Sequence, residues 1–223
     1  MSRFLTIWTC NLSNKNRKSF VGAENSEKGV ITLIFDVMEK DLNKLAAEAH
    51  ANAVEKGFWE NNPSNEHFLC LVICELSEAV EADRKGRRAD LESYKLLSKA
   101  SIERTGNMEY FNEVAFCDKI KDSVEDELAD VFIRLLDLAG ANNYNLNRFC
   151  LQHVVTERKT FTENIYAIIK DIMNYKYSKE EQISYAMHQI RRLSEILKID
   201  LFWHVEQKMA YNRLREYKHG KGY

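Results

Sequence analysis

The chain has 223 residues, of which 45% are hydrophobic and 30% charged, enough to bury one sizeable core or two small ones packed together. Its 32 Lys and Arg nearly balance its 34 Asp and Glu, and the resulting formal net charge of -2 excludes a global attraction to nucleic acid or to an anionic membrane. One proline and 8 glycines are too few for a turn-dense sheet protein, so long helices joined by short polar loops are expected.

Residues 1–34 differ from the rest. Leu5 to Thr9 and Val30 to Ile34 are rich in β-branched and aromatic residues and flank a polar stretch, which predicts a strand pair or an irregular arm. Helical patterning then runs to the end of the chain. A helix is predicted over 36–57, ending near Gly57, followed by a turn through Asn61-Asn62-Pro63-Ser64-Asn65 that can cap the next helix, 66–85. Residues 89–120 read as one or two helices around Gly106. Ser123 is placed to cap a helix over 124–139, closed by Gly140. Three further helices are expected near 146–175, 179–197 and 201–216, with Asp200 as N-cap of the last. The fold class is therefore all-α: residues 35–223 read as a single helical domain behind an N-terminal arm, residues 1–34.

The five cysteines (Cys10, Cys70, Cys74, Cys117, Cys150) are odd in number and irregular in spacing, which argues against a disulfide framework. Cys70 and Cys74 lie one helical turn apart, but no second pair completes a zinc site. Reduced thiols fit a cytoplasmic protein. The short apolar stretch from Phe4 to Trp8 is not followed by a signal-peptide pattern, and no segment approaches the roughly 20 apolar residues that span a bilayer.

Carboxylates stand where core residues are expected. At 100° per residue, Phe68, Leu69, Leu71, Val72, Leu76, Ala79 and Val80 form a broad apolar arc, and Glu75 falls inside it with Glu78 on its edge. An unpaired carboxylate buried there would cost several kcal/mol, by order of magnitude, so something must compensate it. The helix over 124–139 repeats the device: Val124, Leu128, Val131, Leu135, Leu138 and Ala139 form the stripe, Glu127 lies on its shoulder and Asp130 one turn further. Two helices that each offer two acids at i, i+3 would bring four carboxylates together if packed face to face. Four acids without histidine or thiol make a hard, all-oxygen site suited to Mg²⁺ or Mn²⁺ rather than zinc. Neither helix has a histidine three residues after a glutamate, so a di-iron carboxylate bundle is discounted. Glu125 and Asp126 read as ordinary solvated acids. An interhelix ion pair with Lys or Arg is the competing account of Glu75.

The segment Cys74-Glu75-Leu76-Ser77-Glu78-Ala79-Val80-Glu81-Ala82, with Gly86-Arg87-Arg88 after it, resembles the first motif of the MazG-like proteins, a group of all-α nucleoside triphosphate pyrophosphatases. Glu127-Leu128-Ala129-Asp130-Val131 resembles their second motif, Glu-x-x-Asp. The stretch from Lys208 to Lys221 is similar to the C-terminal signature of some small members, and Ala47 to Trp59 matches the front of the unit. The resemblance implies hydrolysis of a (deoxy)nucleoside triphosphate to the monophosphate and pyrophosphate. It implies one or two Mg²⁺ held by Glu75, Glu78, Glu127 and Asp130, with Glu75 as the base that takes a proton from water. Lys208, Arg215 and Lys218 would neutralise phosphates, Asn212 would hydrogen-bond substrate, and Trp59 would stack on a base or, alternatively, pack in the core. A homodimer is also implied as an option.

The chain departs from the small members by about 60 additional residues, 141–200, before the Lys208-x-x-x-Asn212 helix. Ala129 to Leu138 resembles Ala186 to Glu195, and each is followed by a turn and a leucine expected to open a helix, Leu146 and Leu201. Residues 161–173 would then mirror 68–80. This suggests a degenerate internal duplication, a metal-binding half over 35–140 and a second half over 141–223, with Ser184 opposite Glu127 and Met187 opposite Asp130. The arrangement resembles the pseudo-dimer of dimeric dUTPases; a plain helical insertion is the alternative. Three functional readings follow: a Mg²⁺-dependent pyrophosphohydrolase, a non-catalytic nucleotide-binding or scaffold protein on the same fold, and a helical interaction protein whose acids pair with Lys and Arg.

Overall fold

The computed structural model describes residues 8–9, 41–106, 111–150 and 160–220. The expected arm, 1–34, and the start of the helix expected from residue 36 therefore lie outside the described residues, apart from Trp8–Thr9. That pair aligns antiparallel with Phe149–Cys150, a two-residue ladder too short to form a layer.

The protein is all-helical. The eight helices described are α1 (Leu42–Glu55), α2 (Asn65–Arg84), α3 (Leu91–Thr105), α4 (Glu113–Lys119), α5 (Val124–Ala141), α6 (Phe161–Met173), α7 (Lys179–Ile196) and α8 (Leu201–Leu214). Each starts at a side chain that accepts a backbone N–H of its first turn: Asp41, Ser64, Asp90, Asn112, Ser123, Thr160, Ser178 and Asp200. These caps satisfy donors that the helix itself cannot and fix where each helix begins. α3 stops at Gly106, whose φ of 68° is the left-handed conformation that glycine adopts without strain.

Of the helix expected near 146–175, residues 151–159 lie outside the described residues, and the two ends differ. Residues 146–148 form a turn rather than a helix start, and Leu146 buries its side chain there. α6 begins only at Phe161, where Thr160 and Glu163 cap each other reciprocally. That Thr-x-x-Glu capping box is in the sequence and outweighs the apolar content upstream of it.

α5 is the central helix, packed on α1, α2, α7 and α8, while α6 packs on α2 and α7. The helices α2, α5, α7 and α6 thus close a ring of four, with α1 and α8 lying against α5 from outside the ring. The main core runs through all of these helices, from Val72 and Leu76 on α2 and Leu128 and Leu135 on α5 to Ile168, Ile190 and Val205. A second, small cluster joins Tyr94 of α3 and Phe116 of α4 to Tyr211 of α8. α1 comes close to α5 at Gly140, where a Cβ would run into the carbonyl oxygen of Ala46 and lie 2.9 Å from Cβ of His50.

α5 and α7 match cap for cap. Both have 18 residues, both are N-capped by serine, and both end in a left-handed residue, Asn143 (φ 53°) and Lys198 (φ 58°). The closing hydrogen bonds correspond, Tyr144 N to Ala139 O at 3.0 Å and Ile199 N to Ser194 O at 2.9 Å. This pairs Ser123 with Ser178 and Leu146 with Leu201. It places Gln182 opposite Glu127 and Tyr185 opposite Asp130, two positions away from the Ser184 and Met187 expected from side-chain similarity. Caps are the better register mark, because a two-residue shift along a helix changes which side chains face the core but leaves short motif matches intact.

Candidate functional site

A cavity of about 230 Å³ opens between α1, α2, α5 and α8. Its wall holds all four acids singled out by the sequence: Glu75 and Glu78 from α2, and Glu127 and Asp130 from α5. Carboxylate oxygens of Glu75, Glu127 and Asp130 lie within 4.8 Å of one another. Glu78 lines the cavity from an exposed position outside that group of three.

The convergence follows from helical geometry. Twelve of the 18 residues of α5 are buried, and four of its polar residues, Glu127, Asp130, Arg134 and Asp137 at i, i+3, i+7 and i+10, form one row that faces the cavity. On α2, Val72, Leu76 and Ala79 are buried to 0% exposure and force Glu75, between them in the spiral, to 6%. Arg134 reaches across to Glu75, with Nε and Nη2 at 2.6 and 2.5 Å from Oε1.

Electrostatics differ along the row. Burial pushes the Glu75 carboxyl up and Asp130 adds to this, while Arg134 opposes them. Glu127 is pushed up to about 8, first by burial and then by Asp130, so the cluster resists carrying all its negative charge. Asp126, behind the row, is 1% exposed and raised by burial. Lys208 of α8 places its ammonium 2.6 Å from Asp126 Oδ2 and 2.7 Å from Asp130 Oδ2. Burial disfavours the Lys208 ammonium, yet the Asp130 and Asp126 carboxylates outweigh it and hold its proton firmly. Asp122 donates its backbone N–H to Asp126 Oδ2 at 2.9 Å and belongs to a second close group, Asp122, Asp126 and Glu127.

At the other end, Asp137 Oδ1 meets His50 Nδ1 at 2.9 Å and accepts the indole N–H of Trp59 at 2.8 Å. Ala49, Ala53, Phe58 and Phe68 make this part of the cavity apolar. The cavity is closed by the segment after α8. Arg215 and His219 line it, Arg215 stacks on the Tyr211 ring, and His219 packs edge-on against Phe58. The Tyr217 ring fills the space over Gly57, and Lys218 N–H donates to Lys56 O at 2.9 Å, which straps this segment to the turn after α1.

Several expected roles change place. Lys208, expected to neutralise phosphates, is 4% exposed and engaged by Asp126 and Asp130 as part of the acidic cluster. Lys218 does not line the cavity; its ammonium lies 3.1 Å from Glu60. Trp59 stacks on Phe68 at 4.1 Å between ring centroids and donates to Asp137, which is core packing behind the wall. Arg215 and Asn212 do line the cavity, and the buried Asn212 Oδ1 has no hydrogen-bond partner. Asp126, read from sequence as a solvated acid, is instead among the most buried polar groups.

Arg134, Asp126 and Asp137 were not singled out by the sequence. Continuing the Glu127–Asp130 row by helical spacing reaches Arg134 and Asp137, so a signal for those two was present. Asp126 had none, because its burial depends on how α8 docks. Cys70, Cys74 and Cys117 are free thiols, and among the described residues no helix is long and apolar enough to cross a membrane. Comparison with family models, with curated proteins and with solved structures gives no match.

Proposed function

We propose that this chain hydrolyses a (deoxy)nucleoside triphosphate to the monophosphate and pyrophosphate with the help of Mg²⁺. The observation that carries the reading is the approach of Glu75, Glu127 and Asp130 to within 4.8 Å on the wall of a cavity that also presents Arg215, Lys121 and Asn212. Like charges this close and this buried repel, and Glu127 already shows the cost in its raised pKa. A hard dication removes that cost, and an all-carboxylate donor set fits Mg²⁺ or Mn²⁺.

When bound, the metal would supply Lewis-acid activation of phosphoryl oxygen and of water. The chain's own part is positional. Glu75, Glu127 and Asp130, with Glu78 at the rim, would hold the ion. Arg134 and Lys208 fix two of these carboxylates in place. Arg215 and Lys121 would meet phosphate oxygens, and Asn212 a substrate hydroxyl or phosphate. The apolar lining of Phe58 and Phe68 suits an aromatic ring. Glu75 is our choice of proton acceptor from water, since burial raises its basicity toward the working range. The resemblance to MazG-like proteins supports the same reading.

A second reading rests on the ion pairs themselves: Arg134 with Glu75 and Lys208 with Asp130 are what a purely structural acidic cluster would form. The two readings separate experimentally. Common ribo- and deoxyribonucleoside triphosphates are incubated with the protein, with and without Mg²⁺, and released pyrophosphate is measured. Pyrophosphate release from at least one of them, dependent on Mg²⁺, is expected. Glu75→Gln and Asp130→Asn should each lower turnover by at least about a hundredfold while leaving the helical circular dichroism unchanged. No release from any triphosphate, together with no shift of the melting temperature by Mg²⁺, would leave only the structural reading.

A further inference from the structure

We propose that Lys208 is a built-in cation standing where a second metal ion would otherwise sit, so that the site takes one divalent cation per chain. The inference rests on the metal reading above and goes beyond it in fixing the number of ions and the role of this lysine.

Two triads of acids lie close enough to hold an ion: Glu75, Glu127 and Asp130, and Asp122, Asp126 and Glu127. They share Glu127, as the two halves of a paired-ion centre would share a bridging carboxylate. The Lys208 ammonium touches one acid of each triad, Asp130 at 2.7 Å and Asp126 at 2.6 Å. These are charge-assisted contacts at the short end of their range. Two of its three N–H donors are thereby directed to carboxylates. At 4% exposure the side chain has no aqueous alternative, and Asp126, at 1%, has none either. Asp122 is in addition paired with Lys121 and Arg87, so an ion at the second triad would meet three cations, against Arg134 and Lys208 at the first. All three acids of the first triad line the cavity, whereas Asp126 of the second does not.

Lys208 is accordingly a positioning residue. It holds Asp130 for the first triad and denies the other triad an ion.

The test is to count Mn²⁺ bound by the full chain, from the electron paramagnetic resonance of the free ion. The wild type is expected to bind one Mn²⁺ per chain. Lys208→Met, checked for fold by circular dichroism, is expected to bind two, and adding Asp122→Asn should return it to one. Two ions in the wild type, or a folded Lys208→Met that stays at one, overturns the inference while leaving the metal reading intact. No Mn²⁺ in the wild type overturns both. Should Lys208→Met not fold, Asp126→Asn decides. It leaves the whole ammonium charge to Asp130, and one Mn²⁺ bound about tenfold more weakly is expected; unchanged affinity overturns the role given to Lys208.

Discussion

Glu75 was visible in the sequence because it broke an apolar arc, whereas its partner Arg134 was not. Nothing in a helical wheel says which residue on another helix a buried carboxylate will face. The pair makes a direct prediction. Arg134→Met leaves Glu75 buried without its cation, at a cost of up to about 3 kcal/mol, and Glu75→Gln in the same chain should recover part of it. Urea denaturation of the two single variants and the double variant measures the coupling. An Arg134→Met chain as stable as the wild type would remove the pair from any account of the fold. The same limit explains Lys208 and Trp59. Lys208 was expected at phosphate and Trp59 at a base or in the core, but their partners in the fold are set by tertiary docking.

His204 on α8 offers a pH test away from the cavity wall. It is 2% exposed and its Nδ1 has no hydrogen-bond partner, and burial pulls its pKa down to about 4 from an ordinary 6.5 despite the carboxylates of Glu125 and Asp200. Between those values the unfolded chain binds a proton that the folded chain does not. The contribution of His204 is therefore intact above pH 6.5 and is lost as pH falls toward 4. Wild type should lose about 2–3 kcal/mol more than His204→Leu between pH 7 and pH 4.5, read from denaturation midpoints. Parallel losses in the two proteins would show that His204 is protonated normally in the fold.

At the scale of elements, three of the eight helix starts were legible from their caps, Ser64, Ser123 and Asp200. The misreading at 146–175 came from trusting apolar content over the Thr160–Glu163 box, a local hydrogen-bond device that periodicity cannot see. The register between α5 and α7 was misjudged for a related reason: similar side chains recur every turn, but a cap occurs once. Contacts between elements were hardest to read. Gly140 looked like a helix terminator, yet it lies inside α5 where the backbone of α1 crosses. Replacing a helical glycine by alanine usually stabilises by up to about 1 kcal/mol. Gly140→Ala should do the opposite and destabilise by about 1–3 kcal/mol, because the new methyl meets Ala46 O and His50 Cβ. Thermal melts of the two proteins decide the sign.

For the molecule as a whole, the fold class and the four acids of the cavity wall were legible in the sequence, but the closure of the cavity was not. The acidic row and the apolar stripes are periodic and local. The ring of α2, α5, α7 and α6, and the strap from Arg215 to Gly220 over Gly57, depend on pairings between residues far apart in the chain. The cavity draws on residues from Ala49 to His219. That span has a consequence for biogenesis. A nascent chain emerges in order, so Glu75, Asp126, Glu127 and Asp130 leave the ribosome well before Lys208. During that interval α2 and α5 can already pair Glu75 with Arg134, but Asp126 and Asp130 must stay protonated, hydrated or bridged by an ion from solution, because Lys208, which later engages both, is synthesised after them.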